Sequence, residues 1–254
     1  MQGSIYLLTP INQSKSNFPL YLRTRTLEHL NIFTMDTTKY QEIVNEIEPY
    51  SAHLVAVSKT KPTQDIVTLY NAGQKIFGES KVQELAIKAA ELPKDIQWHM
   101  IGHLQTNKVK VIAPFISLIH SVDSLKLLTE INKQALQNNR IINCLFQVFI
   151  ADEETKFGLD RDELLQLLSL PDFTRLQNVH ICGLMGMATN TDDKQKIANE
   201  FDMLRNLFLE LKRTRFDSVP YFTELSMGMS ADYKIALKYG ATLIRLGTIL
   251  FGGR

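Results

Sequence analysis

The sequence of 254 residues has little cysteine, little net charge and no long apolar run. Its two cysteines, Cys144 and Cys182, lie inside apolar, strand-like segments, where small buried side chains are more common than reactive thiols or a disulfide. No secretory signal accompanies them, so we expect a cytoplasmic protein. A chain of this length buries roughly 70–75% of its unfolded surface, so it needs neither a metal nor a disulfide for stability.

The charge balance gives no reason to expect a polyanionic partner. Lys and Arg number 28 against 27 Asp and Glu, a formal net charge of +1, and the basic residues are scattered. We therefore predict that the protein binds neither nucleic acid nor membrane. The longest apolar run in the first 35 residues, from Ile5 to Leu8, is far shorter than a signal-peptide core or a membrane span.

The N-terminal segment differs from the rest of the chain. Residues 1–35 are rich in Asn, Ser, Thr and Pro and show no sustained periodicity, whereas a helical pattern begins directly after Met35. We expect either that Met35 is the true start or that the residues before it form a disordered extension. The folded domain is then predicted to cover residues 36–254.

From Tyr40 onward, short apolar runs alternate eight times with segments whose apolar residues recur at three- and four-residue spacing, the pattern of helices with one buried face. The predicted strands cover residues 53–59, 75–80, 97–102, 118–123, 142–150, 180–187, 221–228 and 242–252. Continuous apolar strands separated by helices indicate parallel βαβ units. Eight units in about 200 residues favour a single (β/α)₈ TIM-type barrel over an open doubly wound sheet, which usually has fewer strands.

Capping residues mark some of the predicted helix ends. Asp123 and Ser124 precede one helical segment and Ser230 precedes another, so we expect them to be N-caps. Gly240 follows the segment KIALKY, where a glycine commonly ends a helix.

Active sites of barrel proteins lie at the C-terminal ends of the strands, and a lysine stands at the first of these ends. Lys59 is the last residue of the first predicted strand, within VSKTKP, where it would point into the barrel mouth or be buried at the rim. Considered alone, a solvated rim lysine is the simpler interpretation.

Small residues follow the seventh and eighth strands. The segment SMGMS runs from Ser226 to Ser230, and RLGT covers residues 245–248. Such residues suit a phosphate site, because exposed backbone N–H groups and hydroxyls can bind its oxygens, although Gly228 and Gly247 could also simply permit tight turns. A lysine opposite a phosphate site suggests a phosphorylated aldehyde held as a Schiff base, with pyridoxal 5′-phosphate (PLP) as the commonest ligand and a phosphosugar as the main alternative.

Several motifs, in order along the chain, resemble one known family. The segments LVAVSKTKP, GQKIFGESKVQE, WHMIGHLQTNK, LMGMA, LSMGMSADYKIAL and RLGTILFG are similar to those of the YggS/PROSC family of PLP homeostasis proteins, from about residue 54 to residue 252. The resemblance implies a barrel like the N-terminal domain of alanine racemase, with PLP bound as a Schiff base.

The resemblance also assigns roles by position. Lys59, and not Lys61, would form the Schiff base, and Arg245 would lie beside the pyridine nitrogen. The phosphate would be held by Ser230, Gly247 and Thr248. The full set of predicted cofactor-binding residues is Lys59, Ser80, Met227, Gly228, Ser230, Arg245, Gly247 and Thr248.

The sequence departs from the family pattern at two positions. Ser80 stands where the family usually has asparagine, and His103 stands where proline is common. His99, in the third-strand motif, is interpreted as a packing residue, or as one that supports the residues contacting the ligand, rather than as a catalytic base.

The resemblance favours a carrier over a catalyst. A cation at the pyridine nitrogen disfavours its protonation, which weakens the ring as an electron sink. In alanine racemases a tyrosine of a second domain is the opposing acid/base, and this sequence ends at Arg254, directly after the last strand. Tyr233 and Tyr239 are expected to have core or exposed roles.

We therefore expect a protein of PLP homeostasis that buffers or delivers the cofactor, without ordinary turnover. The alternatives are an amino-acid racemase-like enzyme and a Schiff-base aldolase acting on a phosphosugar. The expected partners are PLP and PLP-dependent apoenzymes, and the expected state is a monomer or a weak homodimer.

Overall fold

The computed structural model describes residues 37–152 and 158–252. Within them, eight parallel strands form a closed barrel in sequential order, and β1 pairs with β8 to complete it. The strands are β1 His53–Val57, β2 Ile76–Glu79, β3 Gln97–Met100, β4 Leu118–Val122, β5 Ile142–Gln147, β6 Val179–Met185, β7 Glu224–Ser226 and β8 Leu243–Leu246. The prediction of a closed (β/α)₈ barrel is confirmed.

In the described part of the chain, one α-helix precedes the first strand and at least one follows every strand. They are α1 Thr38–Ile47, α2 Thr63–Asn71, α3 Val82–Glu91, α4 Val109–Ile112, α5 Leu125–Gln137, α6 Arg161–Ser169, α7 Pro171–Thr174, α8 Lys194–Thr214, α9 Tyr233–Lys238 and α10 Thr248–Phe251. Single turns of 3₁₀ helix cover Glu48–Tyr50 and Thr106–Lys108. None of the helices described is long and apolar enough to cross a membrane.

The apolar core has two parts because side chains alternate along each strand. Leu54 and Ala56 of β1 belong to the large cluster between the strands and the helices. Val55, between them, belongs to a smaller cluster with Leu145 and Leu243, which fills the inside of the barrel. The barrel interior also contains buried polar residues, and these take part in the site described below.

The cysteines are part of this packing. Cys144 and Cys182 are both buried and unbridged. Burial raises the pKa of the Cys144 thiol well above its usual value and raises that of Cys182 to about 11. Both are therefore neutral, which agrees with their interpretation as small buried side chains.

The first predicted strand extends too far. It ends at Val57, so the prediction that Lys59 is its last residue is wrong, and the lysine lies two residues beyond. The Ser58 N–H still donates to the Gly78 carbonyl oxygen as a strand residue would. Thr60 then adopts φ +64°, a left-handed conformation that a strand cannot continue through.

The last two predicted strands are also too long. The strand predicted for residues 221–228 covers only Glu224–Ser226, because Gly228 turns the chain with φ +92°. The strand predicted for residues 242–252 covers Leu243–Leu246 and is followed by α10. The N–H groups of Leu250 and Phe251 return to the Gly247 carbonyl oxygen, an arrangement that an apolar run does not distinguish from a strand.

The capping predictions have mixed outcomes. The Ser124 hydroxyl accepts from the Leu127 N–H and caps α5, whereas Asp123 lies one residue before the cap. The prediction that Ser230 is an N-cap is wrong, because α9 begins at Tyr233 and its cap is Asp232, whose carboxylate holds the Met229 N–H in the preceding turn. Gly240, which follows the C-cap residue Tyr239 of α9, has φ +83°, as expected for a glycine that ends a helix. The predicted domain boundary and the N-terminal extension lie largely outside the described residues and stay predictions.

Candidate functional site

A cavity of about 560 Å³ opens at the C-terminal ends of the barrel strands and is called the upper cavity below. It is lined by Val57, Lys59, Ser80, Ile101, Gly102, His103, Asp123, Gln147, Met187, Met229, Ser230, Ala231, Arg245, Gly247 and Thr248. Six of the predicted site residues are thus brought together around one space, from chain positions almost 190 residues apart.

Lys59 lies in a tight turn at the rim of this cavity. The Lys61 N–H donates to the Ser58 carbonyl oxygen and closes a four-residue turn in which Lys59 is the second residue. The sequence left two positions open for Lys59, in the barrel mouth or buried at the rim. The side chain is exposed, so it lies at the open mouth and is not buried. Lys61 is directed elsewhere, since its Nζ donates to the carbonyl oxygens of Phe251 and Gly252 at the end of α10.

A buried ion cluster holds this turn from below. The Lys88 ammonium of α3 lies 2.7 Å from each of three oxygens, the Ser58 carbonyl, Glu79 Oε1 and Glu84 Oε1. The Ser58 hydroxyl donates to Glu79 Oε1 at 2.7 Å, and the Thr60 N–H donates to Glu84 Oε1 at 2.6 Å. The residues on both sides of the candidate lysine are therefore fixed by one cluster.

The electrostatics of this cluster differ between its two carboxylates. Burial raises the pKa of Glu79 and outweighs the Lys88 ammonium and the Ser58 hydroxyl, which lower it. The pKa of Glu84 is lowered on balance, since burial raises it but its hydrogen bonds with Lys88 and the Thr60 N–H outweigh that effect. Glu79 Oε2 has no hydrogen-bond partner among the described residues, so this carboxylate depends strongly on the charge of Lys88.

Small and hydroxyl-bearing residues form another side of the upper cavity. Ser230 is half-buried before α9, and Thr248 is exposed at the first position of α10. Gly247 lies between β8 and Thr248, where an added Cβ would lie 3.2 Å from the Val57 carbonyl oxygen and press on the cavity wall. Two hydroxyls and a backbone without a side chain are a suitable set of donors for a phosphate group.

Arg245 forms the floor of the cavity and is only 5% exposed. Its guanidinium donates from Nη1 to Ser226 Oγ at 2.5 Å and from Nη2 to the Gly186 carbonyl oxygen at 3.0 Å. Burial lowers its pKa to about 10, and the negative charge of Asp232 raises it, so the group stays cationic at neutral pH. No carboxylate among the described residues is within ion-pair distance of the guanidinium, so an ion pair does not account for this buried arginine.

Two of the predicted site residues do not line the upper cavity. Met227 is fully buried in the core between strands and helices. Gly228 is packed so closely that an added Cβ would lie 2.7 Å from the Ala236 Cβ, which agrees with a glycine required for a turn.

Sequence reasoning missed several residues that do line the cavity. Gln147 is buried at the end of β5, and Met187 and Met229 are partly exposed beside it. Asp123 was expected only as a helix cap, yet its Oδ2 lies 3.3 Å from Nδ1 of His103 across the rim. Their positions at or within three residues of the C-terminal ends of strands β4 to β7 were the one available signal.

A second cavity of about 1140 Å³, the lower cavity, lies at the opposite end of the barrel. It is lined by residues near the N-terminal ends of the strands, among them His53, Gln97, His99, Asn143 and His180. Although it is larger, the upper cavity is the candidate site, because the lysine, the hydroxyls and the buried cation meet there and because barrel active sites lie at that end.

Comparison with protein families gives one match that covers the whole barrel. The model of the alanine racemase N-terminal domain matches residues 37–254. This agrees with the fold class predicted from the sequence.

Curated relatives and solved structures are similar over most of the chain. A pyridoxal phosphate homeostasis protein from Aquifex aeolicus is 41% identical over 80% of this chain and 87% of its own length. One from Synechocystis is 41% identical over 85% of this chain and 97% of its own length. PipY of Synechococcus elongatus, solved without PLP, is 37% identical with a TM-score of 0.78 over 84% of this chain and 98% of its own. PipY solved with PLP bound is 36% identical with a TM-score of 0.75 over the same shares.

Proposed function

Because the chain belongs to the family of pyridoxal phosphate homeostasis proteins, we propose that it binds PLP in the upper cavity and acts in PLP homeostasis. The observation that carries the proposal is the meeting of Lys59, Arg245 and the pair Ser230 and Thr248 around one cavity. The bound cofactor in PipY, which is similar to this chain over 84% of its length, supports the same ligand.

The residues present fit this cofactor. Its aldehyde would be held on the Lys59 amine as a Schiff base, which is the covalent chemistry that the cofactor supplies. Ser230, Thr248 and the backbone at Gly247 would bind the phosphate, and the N–H groups of Arg245 would face the ring nitrogen. Ser80, which stands where the family pattern has asparagine, lines the same cavity.

We further propose that the protein carries PLP to PLP-dependent apoenzymes or buffers it, and does not turn over amino acids. A cation beside the ring nitrogen disfavours ring protonation. Neither tyrosine considered from the sequence lines the upper cavity: Tyr233 is buried and donates to Glu46 Oε2 at 2.9 Å, and Tyr239 packs against the core. The described lining therefore offers no tyrosine as an acid/base opposite Lys59. The exposed position of Lys59 suits exchange of the cofactor with another protein.

The first test is an absorption spectrum of the purified protein with PLP, before and after borohydride reduction, followed by peptide mapping. We expect a Schiff-base band that borohydride removes and a tag on Lys59. Lys59→Ala should lose both. Lys61→Gln is the matched control and should keep both, because that side chain donates to α10. A colourless, untagged wild-type protein in excess PLP would refute the proposal.

A second measurement separates a carrier from the two enzyme alternatives. The PLP-loaded protein is incubated with L- and D-alanine, and both the enantiomer ratio and the release of PLP to an apoenzyme are followed. We expect transfer of PLP without racemisation above the rate of free PLP. Racemisation well above that rate would favour the racemase-like enzyme, and turnover of a phosphosugar without any bound PLP would favour the aldolase.

A further inference from the structure

Four buried polar side chains form a continuous chain of hydrogen bonds through the inside of the barrel. Arg245 Nη1 contacts Ser226 Oγ at 2.5 Å, Ser226 Oγ contacts His120 Nδ1 at 2.9 Å, and His120 Nε2 contacts His99 Nδ1 at 3.0 Å. They come from β8, β7, β4 and β3, and each is at most 5% exposed. Arg245 lines the upper cavity and His99 lines the lower cavity, so the chain of hydrogen bonds extends from one end of the barrel to the other.

The hydrogen bonds in this chain have one direction. Arginine has donors and no acceptor, so Ser226 Oγ accepts from Arg245. The Ser226 hydroxyl proton then has one acceptor within reach among the described residues, His120 Nδ1. His120 is therefore protonated on Nε2 and donates to His99 Nδ1, which places the proton of His99 on Nε2 as well. If His120 instead carried its proton on Nδ1, both His120 and Arg245 would donate to Ser226 Oγ, and the Ser226 hydroxyl proton would have no acceptor among the described residues.

Burial keeps both rings neutral, as this order of donors requires. Burial lowers the pKa of His99 to about 3. For His120, burial, the His99 ring and the Arg245 cation all lower the pKa well below its usual value. If either ring took up a second proton, its Nδ1–H would face the N–H or O–H group that now donates to that nitrogen, and the hydrogen bond would be lost.

The chain of hydrogen bonds ends at the lower cavity. His99 Nε2 has no hydrogen-bond partner among the described residues, although the residue is only 5% exposed and lines that cavity. Its N–H is thus left for an acceptor that occupies the lower cavity, such as water. One end of the chain belongs to the candidate cofactor site and the other is open to the opposite face of the barrel.

We propose that Ser226, His120 and His99 are positioning residues that hold the Arg245 guanidinium through this one-directional relay and connect the cofactor site with the lower cavity. Ser226 and the Gly186 carbonyl oxygen together hold two nitrogens of the guanidinium, which leaves its remaining N–H groups for the upper cavity. The inference rests on the proposed function, because the group that Arg245 would face is the ring of PLP.

The direction of the relay can be measured without any cofactor. Long-range ¹H–¹⁵N correlation spectra of the histidine-labelled apoprotein report which ring nitrogen carries the proton, and His99→Gln and His120→Gln assign the two signals by their loss. We expect both rings to be neutral, with the proton on Nε2, throughout the neutral range. An Nδ1-protonated His120, or an imidazolium at neutral pH, would overturn the relay.

The link to Arg245 is tested with Ser226→Ala. His120 should then show a mixture of the two tautomers, the PLP absorption band should shift, and PLP should bind about fivefold more weakly, the effect of one lost hydrogen bond. Ser121→Ala is the matched control, because it removes another buried hydroxyl, which donates to the Gly102 carbonyl oxygen, and leaves the relay intact. Unchanged tautomers, band and affinity in Ser226→Ala would refute the positioning role.

The two proposals fail in different ways. If the wild-type protein binds no PLP, the proposed function is refuted and the role of the relay at the ring is refuted with it, while the tautomers of the apoprotein still test the direction of the hydrogen bonds. If PLP binds at Lys59 but the Ser226→Ala spectrum equals that of the wild type, only the further inference is refuted.

Discussion

At the scale of the residue, the site depends on groups whose chemistry is visible in the sequence but whose surroundings are not. Lys59 and Gly247 were candidates because a lysine and a glycine at strand ends suit a site at the barrel mouth, and the roles given to Lys59, Arg245 and Gly247 came from the family resemblance. Gln147 could not be predicted in the same way, because a polar residue at the end of a strand is commonly just solvated. Its burial at the cavity wall follows from the closure of the barrel.

The hydroxyls near Gly247 lead to a prediction for single residues. Ser230→Ala and Thr248→Val should each weaken PLP binding by about 1–3 kcal/mol, the effect of a lost hydrogen bond to a charged group. The dissociation constant is measured by titration of the Schiff-base band. Thr214→Val, at the exposed end of α8, is the control and should bind as the wild type does. Unchanged binding in both site variants would contradict the assignment of the phosphate to this side of the cavity.

At the scale of the element, α3 is the helix that holds the candidate lysine in place. Its Lys88 and Glu84 bind the backbone on either side of Lys59, and Glu79, at the end of β2, completes the cluster. Lys88 and Glu84 are four residues apart and share one face of the helix, so this spacing was visible in the sequence. Their contacts with the turn after β1 were not visible, because they join residues 24 and 30 positions apart in the sequence.

The cluster predicts a large effect from one substitution in α3. Lys88→Met should lower the free energy of unfolding by about 3–5 kcal/mol, because it leaves the buried Glu79 carboxylate without its counter-charge. Urea unfolding measures the loss. Adding Glu79→Gln to Lys88→Met should restore part of the stability, because it removes the unpaired charge. A single variant as stable as the wild type would show that the cluster contributes little.

The predicted bounds of the elements fail where the chain changes direction. The apolar pattern located each of the eight strands to within a few residues, but it extended β8 through residues that form α10. The turn at Thr60 was missed for a related reason: a threonine with positive φ has no sequence signature, and here it is held by the Thr60 N–H contact with Glu84.

At the scale of the whole molecule, the sequence predicted the barrel because eight strand and helix units without a long linker favour closure. The relay inside the barrel was not predictable, although His99 was interpreted as a packing residue or as one that supports the residues contacting the ligand. Ser226 and His120 are 106 residues apart, and nothing in either motif indicates the other. Such contacts form only when the barrel closes, because closure directs every second residue of each strand into the barrel interior.

The buried histidines of the relay make the stability of the whole barrel depend on acidity. The pKa of His99 is lowered to about 3, whereas the same ring in the unfolded chain titrates near its ordinary value of about 6.5. Between these values the unfolded state binds one more proton, so the free energy of unfolding falls as the pH falls, by about 1.4 kcal/mol per pH unit for this ring. His120, with a pKa also lowered by burial, adds a contribution of the same sign.

The expected outcome is a wild-type free energy of unfolding, measured in urea between pH 7 and pH 5, that decreases steadily below about pH 6.5. In His99→Gln the decrease should be less steep by up to about 1.4 kcal/mol per pH unit, because one titrating ring is gone. Ser121→Ala removes a buried hydrogen bond without removing a ring, so it should lower stability and keep the wild-type slope. Equal slopes in the wild type and His99→Gln would mean that the folded barrel accepts a proton on this ring, which the one-directional relay does not allow.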